Sequence, residues 1–228
     1  MMIPHTFTKR KIQLSIVSFI IALSLYTIIN DHNKRGDFFS NFISTATAQE
    51  TNTENTHAEK ITTIKANAKG FFTRIRFANK PYDMNQLSFK DIQGKDYKLA
   101  AFTGKPLLIN LWAIWCVPCR TEMPELAQLK RELGGNNFDV IAINTDKTAS
   151  PEKIQQFLKD VHADNLLYYR DETMDIFNSV RKQGLALGLP ITLLVDKNGY
   201  LLASYNGAAP WANDDAKALI KAVMKEEQ

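Results

Sequence analysis

Three short apolar runs, at residues 107–111, 140–143 and 191–195, have the length and continuity of strands buried on both faces. Between and after them the hydrophobic period lengthens to that of a helix. Met123, Leu126, Leu129 and Leu133 share one face of a predicted helix that begins just after Cys116. Ser150 followed by Pro151 predicts an N-cap with proline at the first helical position, and Ile154, Phe157, Leu158 and Val161 continue the buried stripe. Asn198-Gly199 predicts a tight hairpin joining 191–195 to 201–205. Asn213, Asp214 and Asp215 open a last helix with Leu219, Ile220 and Val223 turned inward. Strands alternating with helices, then a hairpin and a closing helix, predict an α/β domain over residues 87–228, with a central mixed β-sheet and helices on both faces. No internal repeat is visible.

The N-terminal part is patterned differently. Residues 12–29 run eighteen positions without a charge, with Gln13 the strongest polar interruption. As a helix this segment spans roughly 27 Å, close to the hydrocarbon thickness of a bilayer, about 30 Å. Lys9, Arg10 and Lys11 precede it, so residues 1–11 form a basic terminus expected on the cytoplasmic side and 12–29 a transmembrane anchor. The alternative is a cleaved signal peptide with Ala46-Thr47-Ala48 as its small-x-small site, but that site lies nineteen residues beyond the apolar run. Either way the body is exported; with the anchor kept, the expectation is a single-pass protein of a bacterial inner membrane with its main domain in the periplasm. Residues 30–59 are rich in Asn, Thr, Ala, Glu and Gln, and predict a flexible linker. Residues 60–86 hold Phe71, Phe72, Ile75 and Phe77, too apolar for a linker, and form an N-terminal extension expected to pack onto the domain.

Charge narrows the classes of partner. The net charge is +4, but the three basic residues at 9–11 account for most of it, leaving 25 basic against 24 acidic side chains. A near-neutral body lacks the basic face of a nucleic-acid binder. His5, His32, His57 and His162 are scattered, make no ligand pair, and are expected to be solvated. The two cysteines, Cys116 and Cys119, are the whole complement. A disulfide-stapled scaffold carries more at wider spacing, and a zinc site needs about four ligands. The pair therefore points to redox chemistry, with a structural disulfide as the plainer alternative.

Placement strengthens the redox reading. The cysteines fall where the 107–111 strand turns into the following helix. Free N–H groups and the dipole at a helix N-terminus favour negative charge, which lowers a thiol's pKa and raises its thiolate fraction. The thiolate is the attacking species in disulfide exchange. Cys119, one turn along on the same face, is placed to bond to Cys116 and resolve a mixed disulfide. Pro118 lacks an N–H and suits the first turn. Trp112 is expected in the core and Trp115 over the disulfide, while Pro124 is expected to kink the helix.

Three stretches carry a family resemblance: residues 102–106 (Phe-Thr-Gly-Lys-Pro), residues 112–124 with Trp112, Trp115, Cys116, Val117, Pro118, Cys119 and Pro124, and Gly188-Leu189-Pro190 before the 191–195 run. Over roughly residues 87–226 the chain resembles the thioredoxin superfamily, specifically its TlpA-like membrane-tethered branch with the ResA and CcmG types. The resemblance implies a thioredoxin-like fold, Cys116 as exposed nucleophile and Cys119 as buried resolving thiol. It also implies a cis Leu189-Pro190 bond facing the cysteines, with Trp115, Val117, Pro118, Leu189 and Pro190 binding an extended substrate strand. Thioredoxin proper has a buried Asp where this chain has Asn110, and a Lys where it has Ala142. Glu122 matches an acidic residue of the TlpA-like branch. Burial there would raise its pKa and let it exchange a proton with Cys119.

Taken together, the expected activity is that of a protein-disulfide oxidoreductase, most of all a periplasmic reductase. Val117-Pro118 lacks the histidine that would stabilise the thiolate and make the pair oxidising. No cofactor beyond the Cys116–Cys119 disulfide is implied, and no metal. The implied partners are disulfide-bearing periplasmic proteins, apocytochromes c or copper-site proteins of respiratory oxidases, together with a transmembrane electron donor; the protein itself is expected to be a monomer. The alternatives are a disulfide-forming oxidase with the same residues, and a Cu(I) chaperone, which usually carries Cys-x-x-x-Cys and a late histidine that this chain lacks.

Overall fold

A computed structural model describes residues 55–227. The basic terminus, the apolar run 12–29 and most of the linker lie outside them. Among the described residues no helix is long and apolar enough to cross a membrane.

The sheet is built around β4 (Leu107–Trp112), whose six residues are all buried. It pairs in parallel with β5 (Asp139–Asn144) and antiparallel with β7 (Ile191–Val195), and β8 (Leu201–Asn206) returns antiparallel beside β7. Gly199, in the turn between β7 and β8, has φ +83°, and a Cβ there would collide with the Asn85 side chain. The described residues add β1 (Arg76–Phe77), β2 (Ser88–Asp91), β3 (Asp96–Lys98) and β6 (Tyr169–Arg170), giving the mixed order β1-β8-β7-β4-β5-β6-β2-β3.

Side chains leave successive strand residues on opposite faces, so the sheet divides the core in two. Leu108, Trp112, Val140 and Ala142 face α2 (Val117–Leu133), α3 (Pro151–Asp160) and α5 (Asp214–Glu226). Leu107, Ile109, Leu111, Ile141 and Ile143 face the other way, toward Phe89 and α4 (Asp175–Lys182). The caps fall where residue type predicts: Ser150 Oγ accepts from the Lys153 N–H and Asn213 Oδ1 from the Ala216 N–H. Pro124 stands inside α2 without ending it.

Helix α4 is missing from the sequence prediction because its cap is remote. Met174 precedes it with φ +62° and caps nothing, while Asp171 Oδ2 accepts from the Ile176 N–H. Two other corrections concern the N-terminal side. Residues 55–65 are helical (α1), so 55–59 belong to a helix and not to the linker. His57 is 6% exposed, not solvated, with Nε2 unpartnered. Both have one cause. His57, Ile61 and Ile64 stand at i, i+4 and i+7, an inward stripe in which a histidine occupies an apolar position. Burial lowers the pKa of His57 despite its hydrogen bond to the Ala78 backbone. Lys60 fastens the same helix through ion pairs to Asp196 at 3.3 Å and Glu227 at 2.8 Å. His162 is exposed, and His5 and His32 lie outside the described residues.

Candidate active site

Strand β4 ends at Trp112, and four residues later Cys116 caps α2. Its φ of −84° and ψ of 100° are extended, as an N-cap requires, and its Sγ accepts from the Cys119 N–H at 3.3 Å. This donor is one of those that the first turn of a helix leaves free. The sulfur therefore sits where helix geometry concentrates positive potential. Cys116 and Cys119 are joined as a disulfide with Cα atoms 5.3 Å apart. Cys116 is 5% exposed, more closed than the exposed nucleophile expected, and Cys119 is fully buried, so of the pair only Cys116 keeps any access to solvent.

Exposed apolar side chains flank Cys116 along the chain. Trp115 is 62% and Val117 70% exposed, and Leu187 is 77% exposed on the approach to Pro190. Trp115 is thus more open than a lid over the disulfide would be. Trp112 is the core residue expected, packed 5.5 Å from the Phe157 ring. Pro118 is exposed in the first turn of α2. The Leu189-Pro190 bond is cis, with Leu189 half-buried and Pro190 buried. Ile191 pairs with Leu111, so Pro190 enters β7 at the end of β4 from which the cysteine turn departs.

One turn beyond Cys119, Glu122 is 1% exposed. Asn110 Nδ2 donates to its Oε1 at 2.8 Å, and the Ala209 N–H and Trp211 Nε1–H donate to its Oε2, each at 3.2 Å. Loss of solvent pushes the carboxyl up to about 7, and the three donors hold back part of that rise. A carboxyl poised there both takes and returns a proton near neutrality. Asn110 also donates to Thr192 Oγ1 at 2.9 Å. It stands beside Ala142 in the β4–β5 register, so the two departures from thioredoxin occupy neighbouring positions. Ala209, Trp211 and Thr192 are absent from the sequence-based site. Trp211 had one available signal: a tryptophan buried in a short connection needs an acceptor for its N–H. Among the described residues no cluster of three or more His, Cys, Asp or Glu side chains could hold a metal ion.

Comparison with known proteins agrees with this geometry. The Redoxin family model matches residues 78–220. The thiol-disulfide oxidoreductase ResA of Bacillus thuringiensis subsp. konkukian is 25% identical over 143 residues, 61% of this chain and 76% of that protein. The thioredoxin-like protein YneN of Bacillus subtilis is 29% identical over 119 residues, 50% of this chain and 64% of YneN, just under two thirds. Among solved structures, a thiol:disulfide interchange protein of the thioredoxin family from Chlorobium tepidum superposes with a TM-score of 0.51 at 21% identity. It covers 63% of this chain and 97% of its own, and supports the thioredoxin-like fold.

Proposed function

The chain belongs to the Redoxin family, and from that premise we propose that it is a thiol–disulfide oxidoreductase that works as a reductase of partner-protein disulfides. The observation that carries this is the pairing of a helix-capping Cys116 with a buried Cys119 and a buried Glu122 one turn further on. In the reduced protein the Cys116 thiolate attacks a substrate sulfur, forming a mixed disulfide and expelling the first substrate sulfur as a thiolate, which takes up from solvent the proton that Cys116 gave up on ionising. Glu122 then takes the Cys119 proton. The Cys119 thiolate attacks Cys116 Sγ, the second substrate sulfur leaves as thiolate, and the proton passes to it. The substrate gains two electrons and two protons; the protein ends as the Cys116–Cys119 disulfide. In this reading Trp115, Val117 and Pro118, which flank Cys116 in the chain, and Leu189 and Pro190, which lead into β7, receive the substrate backbone. No other cofactor enters the cycle.

The finer parts rest on sequence. The basic residues 9–11 and the apolar run 12–29 support a single-pass inner-membrane anchor with the domain in the periplasm. The TlpA-like resemblance supports apocytochrome c or oxidase copper-site proteins as substrates of a monomeric protein. A reductase in an oxidising compartment needs recharging, which supports a transmembrane electron donor. The deciding experiment equilibrates the full-length protein with glutathione and dithiothreitol buffers and reads the potential of the cysteine couple. A value close to thioredoxin's, about −270 mV, is expected. One near that of DsbA, about −120 mV, overturns the reductase and makes the protein an oxidant.

A further inference from the structure

Two of the three donors to Glu122 come from outside the sheet, from the connection between β8 and α5. Trp211 is the more demanding of them. Its indole N–H is a lone donor fixed in the ring plane, so it meets Glu122 Oε2 only at one ring orientation. That orientation is set by neighbours. The Trp211 ring lies 5.0 Å from Phe72 and 5.8 Å from Tyr205, and Phe72 lies 5.9 Å from Tyr205. Phe72 is fully buried, yet it belongs to the 3-10 turn Gly70–Arg74 of the N-terminal extension. Arg74 closes the arrangement, donating to Tyr205 Oη at 2.9 Å.

We propose that Trp211 is the positioning residue for Glu122, and that the N-terminal extension completes the active site by locking the Trp211 indole through Phe72. This rests on the reading above, in which Glu122 exchanges a proton with Cys119. It gives the extension a role that packing alone does not. A buried carboxylate without donors stays protonated through neutral pH and cannot act as a base. Each donor removed moves its titration upward, and Trp211 is the one the extension controls.

The surroundings keep the prediction clean. On α2 the titratable neighbours are Cys119 and Glu125, the latter accepting from the Ala212 N–H at 3.0 Å. β8 contributes Tyr205, with Arg74 on its hydroxyl. β4 and β7 present Asn110 and Thr192, neither ionisable. No charged side chain contributes to the raised pKa of Glu122, so the balance lies between lost solvent and hydrogen-bond donors.

The test uses the reduced full-length protein and 5,5′-dithiobis(2-nitrobenzoate). Cys116 forms the mixed disulfide with the probe, and attack by Cys119 releases the second thionitrobenzoate, followed by absorbance across pH 5–9. Trp211→Phe is expected to move the midpoint up by about one pH unit with the high-pH plateau kept, a loss of about fivefold at pH 7. Phe72→Leu is expected to shift it the same way by less. Should Trp211→Phe fail to fold, benzothienylalanine placed at 211 keeps the shape and removes only the donor. Glu122→Gln separates the two claims. If it leaves the release profile unchanged, the base assignment itself fails. If it abolishes the midpoint while Trp211→Phe follows the wild-type profile, the base stands and the positioning role is wrong. If only Phe72→Leu follows the wild type, the extension has no part in it.

Discussion

The two faces of the central sheet are made from the same strands and could hardly differ more. On one, Leu107, Ile109, Leu111, Ile141, Ile143, Ile191, Leu193 and Val195 form an aliphatic layer without a polar atom. On the other, alternate residues of the same strands place Asn110 and Thr192, each no more than 1% exposed, against a buried glutamate. Asn110 Oδ1 has no partner there. Buried polar groups cost stability unless fully hydrogen-bonded, and a buried carboxylate costs more. The contrast is a division of labour across β4, β5 and β7, in which the apolar face offsets the face where proton transfer is prepared; Ser204 of β8, paired with Leu193, is a buried polar residue on the apolar side. Substitutions on the two faces should therefore separate stability from activity.

The largest effect belongs to the cysteines at the edge of the polar face. Cys119→Ser leaves the folded domain and the attacking thiol in place but removes resolution. Steady-state reduction of a disulfide-bearing protein is expected to fall to background, with a substrate adduct accumulating on Cys116. Mass spectrometry under non-reducing conditions detects it; continued turnover without an adduct would contradict the two-thiol scheme. On the aliphatic face the expectation reverses. Leu193 is fully buried opposite Ile109, and Leu193→Ala is expected to cost about 4 kcal/mol in urea unfolding. The potential of the cysteine couple and the rate of the folded fraction should not move.

These faces were not equally legible in the sequence. The aliphatic runs announce their strands because a strand buried on both sides is apolar at every position, and Ser150, Asn198-Gly199 and Asn213 mark where the chain turns. Cys116 and Cys119 announce their chemistry by type and spacing. The short strands at 76–77, 88–91, 96–98 and 169–170 do not, because two to four residues give no period to read. The surroundings of Glu122 were hidden for another reason. Its partners lie 12, 87 and 89 residues away along the chain, and one of them is a backbone N–H that carries no side-chain signature. Helix α1 was obscured by chemistry, since His57 fills a position where an apolar residue would have revealed the stripe.

Third in size comes the pH dependence that the polar face imposes. Below the ordinary value of 4.5, Glu122 is protonated in the folded and unfolded chain alike and contributes nothing. Between there and about 7 the unfolded chain releases a proton that the folded chain keeps, so stability falls as pH rises. Above about 7 the deficit is complete, on the order of 3 kcal/mol. Urea unfolding of the oxidised protein at pH 5 and pH 8 should show this loss, and Glu122→Gln should flatten it. Taking the difference between the two proteins removes His57, whose lowered pKa acts in the opposite sense on the acid side. Parallel curves for both would show that the carboxyl titrates as it does in water.

The smallest effect is the sharpest probe of the division, because Thr192 and Leu193 are chain neighbours facing opposite ways. Thr192→Val keeps the shape and removes one acceptor, so one Asn110 N–H loses its partner inside the core. The expected cost is about 1 kcal/mol, a quarter of that for Leu193→Ala. Yet Thr192→Val is the one that should change the chemistry. The freed Asn110 amide can swing away from Glu122, weakening a donor that holds the carboxyl down, and the pH profile of Cys119 attack should shift upward. A Leu193→Ala protein with a shifted profile, or a Thr192→Val protein without one, would show that the two faces are not independent and that the sheet transmits packing changes directly to the site.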